Sequence, residues 1–328
     1  LINNINIQEK IFSVDIRNFE ALVFEIFNIQ YAQNPVYKEY VDYLKIIPSK
    51  IQNIQSIPFL PIEFFKTHEV KTGNWKEEHV FRSSGTTGQT NSQHFIKDLQ
   101  LYEDSFVNGF EHFFGKTSHY QFVGLLPSYL ERNDASLVYM IDGLMEKSGQ
   151  KAKYFYLYDF ENCASTLEIL KENGKTIFLT GVTFALLDFI EKHKIDLNNH
   201  IVLETGGMKG RRKEIIRSDL HQQLKAAFKL KTIHGEYGMT ELLSQAYSKA
   251  DGIFECPPWM KILIRDPLDP FDVTIDSKKG AINVIDLCNL HSCSFIATQD
   301  LGQLYNNGTF EVSGRMDNAA LRGCNLMY

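Results

Sequence analysis

The segment Arg82-Ser83-Ser84-Gly85-Thr86-Thr87-Gly88-Gln89 is a run of hydroxyls and glycines with little side-chain bulk. Glycine lets backbone N–H groups turn toward an anion, and Ser and Thr hydroxyls add further donors. Such a loop suits a polyphosphate. The same composition also makes an ordinary solvent-exposed turn, so the segment alone leaves both readings open.

Four later segments carry chemistry of a compatible kind. Glu204-Thr205-Gly206-Gly207 offers paired glycines, which admit a flat ligand or simply a tight strand-to-helix turn. Gly235-Glu236-Tyr237-Gly238-Met239-Thr240-Glu241 sets an aromatic ring, a hydroxyl and a carboxylate close together. Tyr237 can stack on a base, Thr240 can donate to a phosphate, and Glu241 can hold Mg²⁺, a hard ion that takes oxygen ligands. A helix start with Glu near the positive dipole end fits equally. In Ala297-Thr298-Gln299-Asp300-Leu301-Gly302, Asp300 can accept from two ribose hydroxyls or close a hairpin as an Asx turn. In Gly314-Arg315-Met316-Asp317, Arg315 can reach ribose or phosphate, or form a surface ion pair of little worth.

These segments need a frame that brings them together. Residues 8–45 read as helical from the spacing of Phe19, Leu22, Val23, Ile26 and Phe27, with a second helix after Pro35. Ile57–Ile62 is extended, since its prolines restrain their neighbours. Helix then alternates with strand. Helices are expected at 99–114, 133–147, 160–172, 183–194 and 210–228, and strands at 121–126, 154–158, 176–180, 201–204 and 232–233. Regular alternation predicts an α/β fold with largely parallel sheets, whose ligands gather beyond the carboxyl ends of the strands. Past residue 250 short β segments at 261–265, 281–286, 293–297 and 309–313 predict an antiparallel β subdomain. The expected division is an N-terminal helical segment (1–56), an α/β core binding nucleotide and acyl group (57–250), and a β subdomain with hinge and tail (251–328).

Composition narrows the class. The chain has 328 residues, 44% hydrophobic and 23% charged, as in ordinary globular proteins. A net charge of −6 without a basic stripe speaks against a nucleic-acid partner. No stretch reaches the roughly 18 apolar residues that span a bilayer. The N-terminal residues lack signal-peptide zones, and five scattered cysteines argue against a disulfide framework, so a cytoplasmic location is expected. Cys288, His291 and Cys293 do not have a standard zinc spacing. A Walker P-loop is excluded because no Gly-Lys-Ser/Thr follows Gly85 or Gly88, and a serine hydrolase lacks its G-x-S-x-G elbow.

The order of the motifs discriminates where each alone does not. Hydroxyl/Gly loop, Gly-Gly, Tyr-Gly-x-Thr-Glu, Thr-x-Asp-x-Gly and Gly-Arg-x-Asp follow one another as in the adenylate-forming (acyl-activating) superfamily. Within it the chain resembles the LuxE-type acyl-protein synthetases, on the stretches IPFLPIEFFKTHEV, FRSSGTTGQTNSQHFIKD, CPPWMKILIRDP and GRMDNAALRGCNLMY. The resemblance covers residues 57 to 328.

It implies an ATP- and Mg²⁺-dependent ligase that converts a carboxylic acid, a fatty acid above all, to an acyl-adenylate and passes the acyl group to a thiol. It places Ser83, Ser84, Gly85, Thr86, Thr87 and Gly88 on the β- and γ-phosphates, and Gly206 and Gly207 along the adenine. Tyr237 would pack on that base, Thr240 touch the α-phosphate, Glu241 ligate Mg²⁺, and Asp300 and Arg315 bind the ribose. Cys324, near the C-terminus, would accept the acyl group, with a reductase or acyltransferase as partner protein. Three departures stand out. Thr90-Asn91 replace the usual Pro-Lys, leaving Arg82, Lys97 and Arg322 as candidate cations. Gln299 replaces the middle glycine of Thr-Gly-Asp. The sequence stops soon after the hinge motif, without a mobile C-terminal lysine domain. The alternatives are an acyl-CoA ligase resembling phenylacetate-CoA ligases and a catalytically degenerate relative in a biosynthetic assembly.

Overall fold

The computed structural model describes residues 4–83, 90–126, 134–208, 212, 215–276 and 278–316. Three helices open the chain: α1 (Asn4–Phe12), α2 (Phe19–Gln33) and α3 (Pro35–Tyr43). α2 turns Phe19, Leu22, Val23, Ile26, Phe27 and Gln30 inward, the helical spacing read from the sequence. Asn34 ends it and caps the next helix, accepting the Tyr37 N–H at 3.0 Å, with Pro35 at the first helical position. β1 (Leu60–Pro61) and the short helix α4 (Phe64–Thr67) follow.

β2 (His79–Arg82) and β3 (Gln93–Ile96) form an antiparallel hairpin whose connection is the hydroxyl/Gly loop. The alternating region then runs α5 (Leu99–Phe114), β4 (Tyr120–Leu125), α6 (Ser136–Lys147), β5 (Phe155–Tyr156), α7 (Phe160–Lys171), β6 (Thr176–Val182), α8 (Thr183–Lys192), β7 (Ile201–Thr205), α9 (Arg217–Phe228) and β8 (His234–Tyr237). Short antiparallel strands complete the chain: β9 (Ala246–Ser248), β10 (Ile253–Glu255), β11 (Met260–Arg265), β12 (Val273–Thr274), β13 (Lys279–Asp286), β14 (Phe295–Leu304) and β15 (Phe310–Arg315).

Among the described residues one thirteen-stranded sheet has the order β12-β11-β13-β14-β15-β10-β9-β8-β7-β6-β4-β5, with β1 parallel to β14. β5, β4, β6, β7 and β8 are parallel, and every pair from β8–β9 to β11–β12 is antiparallel. The expected α/β fold and antiparallel C-terminal part are both present. They share one sheet, joined where β8 pairs with β9. No helix among the described residues is long and apolar enough to cross a membrane.

Three local expectations need correction. The strand expected at 232–233 lies at His234–Tyr237, because the tyrosine motif itself makes the backbone ladder with β7 and β9. The helix expected from 210 begins at Arg217, with Ile216 extended ahead of it. The Thr298–Gly302 segment is not a turn. It lies inside β14, which pairs with β15 as far as Leu304, and the irregularity falls one residue on, between Leu301 and Gly302. A β-compatible glutamine at 299 fits a continuing strand, whereas glycine there would weaken it.

Candidate functional site

The feet of the hydroxyl/Gly loop are tied to each other. The Ser83 N–H donates to the Ser92 carbonyl at 3.1 Å, and the Ser92 N–H donates to Ser83 Oγ at 2.9 Å. Ser84, Gly85, Thr86, Thr87, Gly88 and Cys324 lie outside the described residues, as do Asp317 and Arg322. The Ser92 hydroxyl faces Glu241. The neighbouring strand adds a second tie: His94 Nδ1 lies 2.8 Å from the Thr240 carbonyl. A carbonyl can only accept, so the imidazole carries its proton on Nδ1. Burial holds the His94 pKa down at about 4, so this donor stays neutral at physiological pH.

From the other side, the backbone after Glu241 is clamped by the segment following β13. Asp286 accepts the N–H groups of Leu243 and Ser244, each at 2.9 Å, and the Ser244 hydroxyl at 2.6 Å. Asn289 Nδ2 donates to the Glu241 carbonyl at 2.8 Å. Thr240 and Glu241 are therefore fixed between a hairpin and a buried polar cluster. Glu241 itself is only 6% exposed. Burial raises its pKa, while Ser92, Arg315 and Lys66 pull it back. Among the cations, Arg315 and Lys66 act on this carboxylate. Of the expected candidates, Arg82 pairs with Asp134 at 3.5 Å, and Lys97 acts on His291 instead.

Tyr237, Asp300 and Arg315 come together across the β14–β15 ladder, where Asp300 is opposite Arg315. The Tyr237 hydroxyl donates to Asp300 Oδ2 at 2.9 Å, and Arg315 Nε lies 3.4 Å from Oδ1. Burial pushes the Asp300 carboxyl up, and Arg315, Tyr237 and Arg265 pull it back. The Tyr237 ring is itself buried, edge-on to Phe310 at 5.4 Å and Phe254 at 6.1 Å. Arg315 is 72% exposed and reaches into solvent from the strand edge.

Gly206 and Gly207 leave the end of β7 with φ of 74° and 63°, a left-handed path that glycine follows without strain. Both are exposed, and open space surrounds the Cβ position at Gly207. Glu204 anchors this strand end, with the Thr183 hydroxyl at 3.1 Å, Arg217 at 3.2 Å and His221 at 3.6 Å. Burial raises the Glu204 pKa, but these partners together outweigh it and leave it lowered.

Arg265 of β11 positions the Asp300 strand from behind. It donates to the carbonyls of Ile282 at 2.9 Å and Thr298, and to Asn283 Oδ1 at 2.7 Å. Thr298 Oγ1 in turn accepts the Asp300 N–H at 3.1 Å. Arg265→Met is expected to lower stability by about 1–2 kcal/mol by stranding buried acceptors. A urea titration checks this, and a weaker ATP affinity should accompany it if Asp300 touches nucleotide.

His94, Ser92, Arg265, Asp286 and Asn289 were not among the sequence-predicted site residues. Arg265, Asp286 and Asn289 had a signal, polarity inside apolar runs as in INVIDLCNLHSCSF, whereas Ser92 and His94 lie in the polar stretch QTNSQHF and had none. No group of three His, Cys, Asp or Glu side chains that could hold a metal occurs among the described residues. The cysteines at 163, 288 and 293 are buried, and burial raises their thiol pKa values.

No protein-family model and no curated protein sequence matches the chain. Solved structures do. ATP-bound MatB from Rhodopseudomonas palustris superposes with a TM-score of 0.54 at 13% identity, over 72% of this chain and 47% of that one. The fold is that of the adenylate-forming enzymes. A long-chain-fatty-acid-CoA ligase from Archaeoglobus fulgidus gives 0.54 at 15% identity, over 75% and 52%. O-succinylbenzoate coenzyme A synthetase from Bacillus subtilis, in complex with AMP, gives 0.51 at 17% identity, over 75% and 50%. The chain thus spans about half the length of the adenylate-forming structures it matches.

Proposed function

We propose that this protein activates a carboxylic acid with ATP. The substrate carboxylate attacks the α-phosphorus, pyrophosphate leaves, and the acyl-adenylate then gives its acyl group to a thiol with release of AMP. The observation that carries this reading is the double tie from the β2–β3 hairpin to Thr240-Glu241: the foot of the hydroxyl/Gly loop reaches Glu241 through Ser92, and His94 holds the Thr240 carbonyl. Segments about 150 residues apart in sequence thereby address one place. Nucleotidyl transfer rests on positioning and charge stabilisation, which such a rigid arrangement supplies.

In this reading Ser83 to Gly88 cradle the β- and γ-phosphates, Thr240 meets the α-phosphate, and Gly206-Gly207 leave room for the adenine. The Tyr237–Asp300–Arg315 group holds the ribose. Mg²⁺ would be held by Glu241 together with phosphate oxygens and water, the usual habit of that ion, and would neutralise charge on the phosphates. Among the described residues no cluster of three metal-holding side chains surrounds it, which fits an ion held mainly by phosphate and water. Lys66 and Arg315 take the place of the missing loop lysine as local positive charge.

The names of two structural neighbours point to coenzyme A as the thiol. The LuxE-type resemblance points to Cys324 with transfer to a reductase or acyltransferase. Carboxylate-dependent exchange of labelled pyrophosphate into ATP, over fatty, aromatic and hydroxy acids, tests the first half-reaction. No exchange with any acid overturns the reading in favour of a degenerate relative. With an active acid in hand, acyl-CoA in solution identifies the first acceptor. Label retained on denatured protein and released by hydroxylamine identifies the second.

A further inference from the structure

Glu236 is an acid that neither the fold nor the proposed reaction accounts for. It belongs to β8, where successive side chains point to opposite faces of the sheet. Tyr237 faces Asp300, so Glu236 faces the other way, toward Tyr102 of α5 and Tyr247 of β9. Its one described hydrogen bond comes from the Thr205 hydroxyl to Oε2. Oε1 lies over Gly238, where any Cβ would collide with it.

A purely structural buried acid is held from several sides, as Glu204 is by Thr183, Arg217 and His221. Among the described residues Glu236 has no cation partner and one hydroxyl, and it sits near the like-charged Glu204. Burying a carboxyl so sparsely bonded costs free energy. Gly238 nevertheless leaves it space, and the residue is only partly buried. It stands at the carboxyl end of the parallel strands, beside the exposed Gly206-Gly207 and four residues before Thr240. Ligands of open α/β sheets gather at this edge.

We propose that Glu236 reads a hydrogen-bond donor on the acid being activated, so that the substrate is a carboxylic acid bearing a hydroxyl or an ammonium group on its chain rather than a plain alkanoic acid. This rests on the adenylation reading above. A donor-bearing chain would satisfy Oε1. An alkyl chain at the same place leaves the carboxyl unpaired, and sites built around a hydrogen bond reject the analogue that lacks it far more strongly than apolar pockets discriminate size.

The test uses the full chain in pyrophosphate exchange with matched short and medium acids carrying hydrogen, hydroxyl or amino substituents. Wild type is compared with E236A and E236Q, and an ATP-induced shift in melting temperature confirms that each variant is folded. A preference of about 10²-fold or more in kcat/KM for a donor-bearing acid, collapsing in E236A, is the expected result. Glutamine keeps an acceptor but no charge. E236Q therefore retains most of the preference for a hydroxyl and loses it for an ammonium, which tells the two sources apart. Wild type that uses plain acids equally well overturns the inference and leaves the adenylation reading intact. A uniform loss in E236A with every acid marks a structural residue and also overturns it. No exchange with any acid overturns both.

Discussion

Pyrophosphate exchange should fall by about 10³-fold in Glu241→Gln, with the protein still folded. The carboxylate is 6% exposed and its backbone is fixed on both sides, by His94 at Thr240 and by Asn289 at its own carbonyl. Glutamine preserves volume and can still accept from Ser92, so the local packing survives. What disappears is the negative charge proposed to ligate Mg²⁺. Burial disfavours that charge in the free protein, so its removal should leave stability at neutral pH unchanged or slightly higher. A residue kept for folding alone would behave in the opposite way. Exchange kinetics and urea denaturation of the same preparation therefore separate the two roles. Loss of both together would remove Glu241 from the catalytic machinery.

The second large effect concerns pH. Burial lifts the Glu236 pKa to about 7 from an ordinary 4.5, with Glu204 adding to the rise and Thr205 opposing it. Tyr102 and Tyr247 also face this carboxyl, and both are neutral in this range. The folded state therefore binds a proton that the unfolded state has released. Below about pH 4.5 the group costs nothing. The penalty grows as pH rises toward 7 and is complete above it. At 1.36 kcal/mol per pKa unit, less a discount for partial exposure, it amounts to about 2–3 kcal/mol. E236Q is therefore expected to melt several degrees higher than wild type at pH 8 and to match it near pH 4.5. Equal melting temperatures at both pH values would show that Glu236 is ionised freely in the folded state. Functional sites commonly carry such a stability cost.

The sequence disclosed the elements whose own residues dictate them. α5 lies at Leu99–Phe114 as read, since Asp98 caps it and Gly115 ends it with φ of 83°. The helix at 160–171 and the strands β4, β6 and β7 were legible for the same reason: long apolar runs between clear stop signals. The hairpin β2–β3 was not legible, because its partners are four-residue strands with mixed burial. Nor was the pairing of β8 with β9, which depends on a neighbour and not on local preference. At the site, motif order singled out Tyr237, Glu241, Asp300 and Arg315, and the structure brings Tyr237 and Arg315 to Asp300, with Arg315 also acting on Glu241. The residues that hold them, His94, Asp286, Asn289 and Arg265, act over long sequence separations. Nothing in their immediate neighbourhood distinguishes a histidine that meets Thr240 from one that faces solvent.

The long reach of Gln30 bears on how the chain is made. Its side chain donates to the carbonyls of Asn289 and Leu290 at 3.0 and 3.2 Å and to Ser294 Oγ at 3.1 Å, and it accepts the Ser294 N–H at 2.9 Å. Asn34 donates to the Ser292 carbonyl at 3.0 Å, and Leu60 pairs with Ile296. The first helices thus find these partners only after some 260 further residues have been translated, about 10–50 s at ordinary ribosomal speed. Through that interval α2 has its neighbour α3 but the part of its apolar stripe that meets Phe295 is uncovered. Nascent chains halted before Asn289 should consequently recruit holdase chaperones at their N-terminal helices and resist protease only after release.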